Sequence, residues 1–253
     1  MPYADSNGYN IYYEIEGCGS PLLLHHGLTM ALDDWRDIGY VEALKPDFKL
    51  ILMSPLGHGI SDKPHQSDAY SSQQRVSDIL AVLNELKIER TQILGYSLGG
   101  RAGLEMLAYA PNRVISAAIG ASGPAFRDPS RYSPMKTLLG TGMDGWINMV
   151  KRTKWPATAE WESRARDNDI HALLAILDNP MESLVNAIQK TQIPTLFYIG
   201  DRDFNYELVS GRIENLQNSE SLIIKGLDHV EGFLNIEKVI GPILEFLDRT
   251  KNH

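Results

Sequence analysis

The sequence predicts an α/β domain with a mostly parallel sheet covered by helices on both faces. Three observations carry this. Short aliphatic and β-branched runs, apolar on both faces, have the character of buried parallel strands. Between them lie longer segments whose apolar residues recur at helical spacing. The alternation of the two resumes after one long interruption of helical character only.

In order along the chain, Asn7-Gly8 is a tight-turn signal, and Tyr9–Ile15 after it is aromatic and β-branched enough for a strand. Gly17–Pro21 turns the chain into the buried strand Leu22–His25. A helix is expected over about Ala31–Leu44, and the next buried strand is Phe48–Met53. Val76, Ile79, Leu80, Leu83 and Leu86 make Ser71–Leu86 a helix. Thr91–Gly95 is a strand, Ser97–Tyr109 a helix and Arg113–Ile119 a strand. Beyond the interruption come a strand at Ile193–Ile199, a helix near Tyr206–Leu216, a strand at Leu222–Ile224 and a last helix over Gly232–Arg249.

The interruption, Pro124–Gln192, holds Trp146, Trp155 and Trp161, three of the four tryptophans. Ile170, Leu173, Leu174 and Leu177 repeat at helical spacing within it. No Gly/Ser-rich linker flanks it, so it reads as a helical cap (124–192) inserted into a core formed by 1–123 and 193–253.

With 253 residues, 43% hydrophobic and 22% charged, the composition is that of a globular enzyme and excludes disorder and coiled coil. Twenty-four basic against thirty-two acidic residues give −8, which disfavours nucleic acid or an anionic membrane as partner. The single Cys18, in Gly17-Cys18-Gly19, excludes an internal disulfide. Met1–Asp5 lacks the blocks of a signal peptide, and no run approaches the ~18 apolar residues of a membrane span. The expectation is a soluble, cytoplasmic protein, monomeric or a small homo-oligomer, that acts on a small molecule without cofactor or metal.

The strongest local signal is Gly95-Tyr96-Ser97-Leu98-Gly99, a G-x-S-x-G placed between a strand and a helix. A serine on so sharp a turn has a strained backbone, and side chains two residues away would collide with it. The hydroxyl gains exposure at the positive end of a helix, and the Leu98 N–H points where an oxyanion would develop. Such a serine needs a base, and the base an orienting acid. Of seven histidines, His229 follows the last strand and so projects from the same carboxyl edge as Ser97. His25, His26, His58, His65, His171 and the terminal His253 have weaker placements. The acid is sought in Gly200-Asp201-Arg202-Asp203, after a buried strand; Asp203 is favoured because Asp201 looks like a turn-former. A second oxyanion donor is the N–H of Leu28, in His26-Gly27-Leu28. The adjacent His25 and His26 lack a further ligand at metal spacing.

Together these residues resemble the α/β-hydrolase superfamily over nearly the whole chain, and the order Ser97, Asp203, His229 is the one that fold uses. His26-Gly27, the loop Ser54–Ser61, Asp62-Lys63-Pro64 and Pro111–Val114 also fit family habits, and Gly200-x-x-Asp203 selects Asp203. The chain looks most like the small single-cap esterases, enol-lactonases and perhydrolase-type members, while Gly95–Arg101 is also similar to the menaquinone-pathway lyases. Serine at the elbow argues against haloalkane dehalogenases and epoxide hydrolases, which place aspartate there. Ser54 and Leu56 stand where the family has Asp and Arg, so an interaction expected in that loop is lost; Thr29 stands where proline is frequent, and Asp228 adds a charge beside His229.

What the resemblance implies is a serine hydrolase of a small carboxylic ester or lactone. The alternatives are a lyase or carbon–carbon hydrolase using the same triad, with Arg101 or Arg127 holding a substrate carboxylate, or a ligand receptor on a hydrolase scaffold. Cap residues Phe126, Trp146, Met149, Trp155, Trp161, Leu173 and Leu174, together with His26 and Tyr96, are the candidates for an apolar substrate pocket.

Overall fold

The computed structural model describes residues 2–213 and 216–252. One sheet is built from β1 (Tyr3–Ser6), β2 (Tyr9–Glu16), β3 (Ser20–His25), β4 (Phe48–Met53), β5 (Thr91–Tyr96), β6 (Val114–Gly120), β7 (Thr195–Gly200) and β8 (Ser219–Ile224). Their spatial order is β1-β2-β4-β3-β5-β6-β7-β8; β1 and β2 pair antiparallel, as do β2 and β4, and the other pairings are parallel. β1 is a strand that the sequence reading does not contain. It is four residues long, and only Ala4 and Ser6 are buried. The Asn7-Gly8 turn, with φ of 54° and 89°, folds it onto β2.

Successive strand residues face opposite ways, and the chain uses this to build two cores. Leu23, Ile51, Ile93 and Phe197 pack on one face with the helices Ser72–Glu85 and Leu98–Tyr109. Leu22, Leu52, Leu94 and Tyr198 pack on the other with Leu32–Asp37, Tyr40–Leu44 and Ile236–Thr250. The helix expected over Ala31–Leu44 is thus two. Gly39, at φ +97°, ends the first with its N–H on Arg36 O, a left-handed stop that only glycine adopts without strain. The last helix is also divided, at Asn235, into Glu231–Leu234 and Ile236–Thr250. The helix expected near Tyr206–Leu216 is seen as Tyr206–Ile213, and Glu214 and Asn215 lie outside the described residues.

Between β6 and β7 the chain forms the helices Ser133–Gly140, Met143–Val150, Ala159–Arg166, Ile170–Asp178 and Val185–Ile188. The two ends of this segment are tied together. Leu184 N–H donates to Pro124 O at 2.8 Å, and Arg127 and Met181 exchange backbone hydrogen bonds at 2.8 and 3.2 Å. Its middle is tied to the sheet edge, where Asn168 Nδ2 donates to Thr29 O at 3.2 Å and Lys154 pairs with Glu231 at 2.6 Å. Because β3, β5, β6, β7 and β8 are parallel, the loops after them emerge along one edge, beneath this segment. Among the described residues, no helix is long and apolar enough to cross a membrane.

Candidate active site

Ser97 joins β5 to the helix Leu98–Tyr109 with φ +56° and ψ −108°. No ordinary residue rests there, so the surroundings must hold it. They do so through glycines: a Cβ on Gly95 would collide with Gly99 O, and one on Gly99 with His25 O. Ser97 N–H donates to Gly120 O at 2.8 Å, which anchors the elbow to β6.

Asp203, from the loop after β7, and His229, from the loop after β8, meet the serine from the side. His229 Nε2 lies 2.9 Å from Ser97 Oγ, and His229 Nδ1 lies 2.8 Å from Asp203 Oδ2. The carboxylate can only accept, so Nδ1 carries the proton and Nε2 is left as acceptor for the serine hydroxyl. Asp203 is fully buried as a side chain, and its other oxygen accepts from Asn205 N–H at 2.7 Å. Asp201 is spent elsewhere, accepting from Gly226 N–H at 2.7 Å. Asp228 accepts from the N–H groups of Val230 and Glu231 at 2.9 and 2.8 Å, so its charge caps the helix that follows His229. Tyr96 Oη–H donates to His229 O at 2.7 Å and holds the imidazole loop from below. Burial pushes the Tyr96 phenol well above its ordinary value, so it stays a donor.

Gly27–Met30 is a turn closed by Met30 N–H on Gly27 O at 3.3 Å, with Thr29 at φ +66° in the position that a type II turn makes left-handed. Proline cannot adopt that φ, which accounts for the departure at Thr29. A Cβ on Gly27 would stand 3.4 Å from Ser97 Cβ, so the Gly27-Leu28 backbone lies against the elbow. Leu98 is the first helical residue, and its N–H is among those no helical carbonyl can satisfy. The loop at Ser54–Ser61 also keeps a hydrogen-bonded brace. Ser54 Oγ donates to His58 O at 3.1 Å and Ser61 Oγ to Ser54 O at 2.6 Å, while Leu56 is buried.

All of this opens on a cavity of about 590 Å3 lined by Leu28, Met30, Tyr96, Ser97, Leu98, Trp146, Met149, Trp155, Trp161, Phe204, His229 and Phe233 among others. Four proposed pocket residues, His26, Phe126, Leu173 and Leu174, do not line it. His26 is fully buried behind the turn, its ring edge-on to His58 at 5.2 Å, and Phe126 is 55% exposed on the outer surface. Leu173 and Leu174 pack between helices, and Arg101 is buried against Glu105 at 2.9 Å, reaching Glu182 O at 2.6 Å. Arg127, in contrast, does line the cavity. His65 and His171 lie against each other away from it, their rings tilted by 46°, and His253 lies outside the described residues. Phe204 is a site residue absent from the sequence reading; its ring lies 4.4 Å from that of His229, and adjacency to Asp203 is the signal that could have found it.

Two observations then identify the architecture. The family model described as alpha/beta hydrolase fold matches residues 20–135, which include the elbow. The solved enol-lactonase from Burkholderia xenovorans LB400 superposes with a TM-score of 0.83 over 98% of this chain and 100% of its own, at 20% identity. The chain has the α/β-hydrolase fold. Other α/β-hydrolase-fold proteins resemble it similarly: an esterase from Rhodococcus sp. ECU1013 reaches a TM-score of 0.82 over 98% of each chain, at 18% identity. By sequence, the chain is 23% identical to a Bacillus subtilis (strain 168) protein named as a putative 2-succinyl-6-hydroxy-2,4-cyclohexadiene-1-carboxylate synthase, over 87% of each.

Proposed function

We propose that the protein is a serine hydrolase that cleaves a small carboxylic ester or lactone through an acyl-enzyme. The observation that carries this is the hydrogen-bonded chain from Asp203 through His229 to Ser97, which ends at an apolar cavity. Ser97 Oγ attacks the carbonyl carbon while His229 Nε2 takes its proton. Asp203 holds the imidazole tautomer and stabilises the imidazolium. The N–H groups of Leu28 and Leu98 receive the oxyanion. The imidazolium then protonates the leaving alkoxide, and a water deprotonated by the same nitrogen releases the acid and restores the serine. The helical segment over the edge is the lid of this site, and its Trp146, Met149, Trp155 and Trp161 favour an apolar acyl or aromatic group. The esterase and enol-lactonase of the same fold support the reading.

The test is hydrolysis of 4-nitrophenyl esters and of lactones of graded length. Ser97→Ala should lower kcat by about 10⁴- to 10⁶-fold, and a fluorophosphonate should label the wild type alone. Undiminished turnover by Ser97→Ala refutes the proposal. A lyase reading has one observation behind it, the similarity to the Bacillus subtilis protein along most of both chains. Analysis of the products separates the two, because only the hydrolase consumes water.

A further inference from the structure

Arg127 is 5% exposed and lines the same cavity as Ser97. Its backbone is fixed by the paired hydrogen bonds to Met181, so the side chain starts from a rigid point. One terminal nitrogen donates to Ser122 Oγ at 3.0 Å and the other to Tyr132 Oη at 3.3 Å, while its buried Nε has no partner. Among the described residues it makes no ion pair. A buried cation normally has a counter-charge, because the cost of desolvation is otherwise uncompensated.

The nearby charges do not supply one. Arg101, close enough to feel the Arg127 charge, shares the carboxylate of Glu105 with Arg75. Glu105 accepts from Ser72, from Arg75 twice and from Arg101, at 2.6 to 2.9 Å, and so is saturated. Asp34, a carboxylate on the cavity wall, accepts from Ala31 N–H at 2.9 Å and faces Arg164 at 3.5 Å. Asp228, also on that wall, caps Val230 and Glu231. Three arginines, Arg75, Arg101 and Arg127, stand in this region, and Glu105 pairs with the first two only.

We infer that Arg127, with the Tyr132 and Ser122 hydroxyls beside it, is a seat for the carboxylate of the substrate. The substrate class is then an ester or lactone whose apolar body carries a carboxylate away from the reacting carbonyl. The protein's net negative charge disfavours anions at long range, but a fixed, desolvated guanidinium acts locally, and a planar carboxylate matches its fork. The apolar lining between the two ends fits a hydrocarbon spacer.

The kinetic part of this inference rests on Ser97 as nucleophile, so the test has two arms. In the first, mono-4-nitrophenyl adipate is compared with 4-nitrophenyl hexanoate, each corrected for its uncatalysed rate. Wild type should favour the adipate ester in kcat/KM, and Arg127→Gln should lower that preference by about 10- to 100-fold. Arg127→Lys should recover part of it. In the second arm, Ser97→Ala is heated with adipate or with adipamide: adipate should raise Tm and adipamide should not, and Arg127→Gln should abolish the shift. Equal use of the two esters with no adipate shift overturns the inference. An adipate shift with no hydrolysis of any ester leaves the carboxylate seat standing and overturns Ser97 as nucleophile instead. Should Arg127→Gln not fold, the wild-type preference and the adipate shift decide alone.

Discussion

Lowering the pH from 6 to 4 should cost this protein about 3 kcal/mol of stability, and the groups responsible can be named. His25, His26 and His58 are buried beneath the edge that carries the candidate active site. Each Nδ1 faces a backbone carbonyl, at 3.1, 2.9 and 3.4 Å, so each ring is held as the neutral tautomer protonated there. Burial brings His25 and His58 down to about 4 and His26 well below its ordinary value. A depressed histidine contributes stability that is present above its unfolded value near 6.5 and is lost as pH falls toward the folded one. Two buried carboxyls work in the opposite sense. Burial raises Asp34 and Asp78 to about 6, so they take up protons in the folded state first, and their contribution grows as pH falls.

Across the window between pH 6 and 4 the unfolded chain therefore carries about three protons on these five groups and the folded chain about two. The difference of one proton corresponds to about 1.4 kcal/mol per pH unit. Asp78→Asn keeps the oxygen that accepts from Ser6 and Gln74, at 2.6 and 2.7 Å, but removes one opposing proton, so the slope should double. His58→Asn keeps a donor for Leu56 O and removes one histidine, so the slope should vanish. Urea unfolding at pH 4, 5 and 6 measures all three slopes. A wild-type midpoint that holds or rises on acidification, or an Asp78→Asn slope equal to wild type, refutes the assignment. Glu105, which burial would raise but Arg75 and Arg101 hold down at about 2, adds a further loss only below its unfolded value.

Gly99→Ala places a Cβ onto His25 O and 2.8 Å from His25 Nδ1, so calorimetry should show Tm falling by several degrees and esterase activity should fall with it. Trp155, stacked on Phe233 at 5.8 Å, forms part of the apolar wall; Trp155→Ala should lower kcat/KM for a hexanoyl ester about tenfold more than for an acetyl ester, as paired substrate kinetics will read.

The elements and the three residues joined by hydrogen bonds are legible in the sequence for a shared reason. A strand apolar on both faces, a glycine two residues either side of a serine, and a histidine after the last strand are local patterns whose consequences are fixed by backbone sterics and by the parallel sheet. β1 escapes because four residues carry too little pattern, and the break at Gly39 because an apolar helical stripe continues through a left-handed stop. The loop at Ser54 shows the limit of a motif. Two serine hydroxyls brace the segment where an Asp and an Arg were expected, and Tyr12 N–H adds a bond to Ser61 Oγ at 2.8 Å.

The helical segment is harder to read because its helices are four to nine residues long, too short for periodicity to define which side faces the sheet edge. Phe126 and Trp155 have the same apolar character, yet one lies on the outer surface and the other on the cavity wall. The two arginines differ more instructively. Arg101 stands four residues before Glu105 on one helix, a spacing at which ion pairs form, and that local signal already marks it as structural. No acidic residue stands at such spacing to Arg127 on a helix, and only the fold shows that none reaches it from elsewhere among the described residues. The contrast separates two uses of buried charge: a guanidinium whose carboxylate comes with the chain fixes the two ends of the helical segment, through Ala125 O and Glu182 O, and one whose carboxylate does not is free for the substrate carboxylate proposed above.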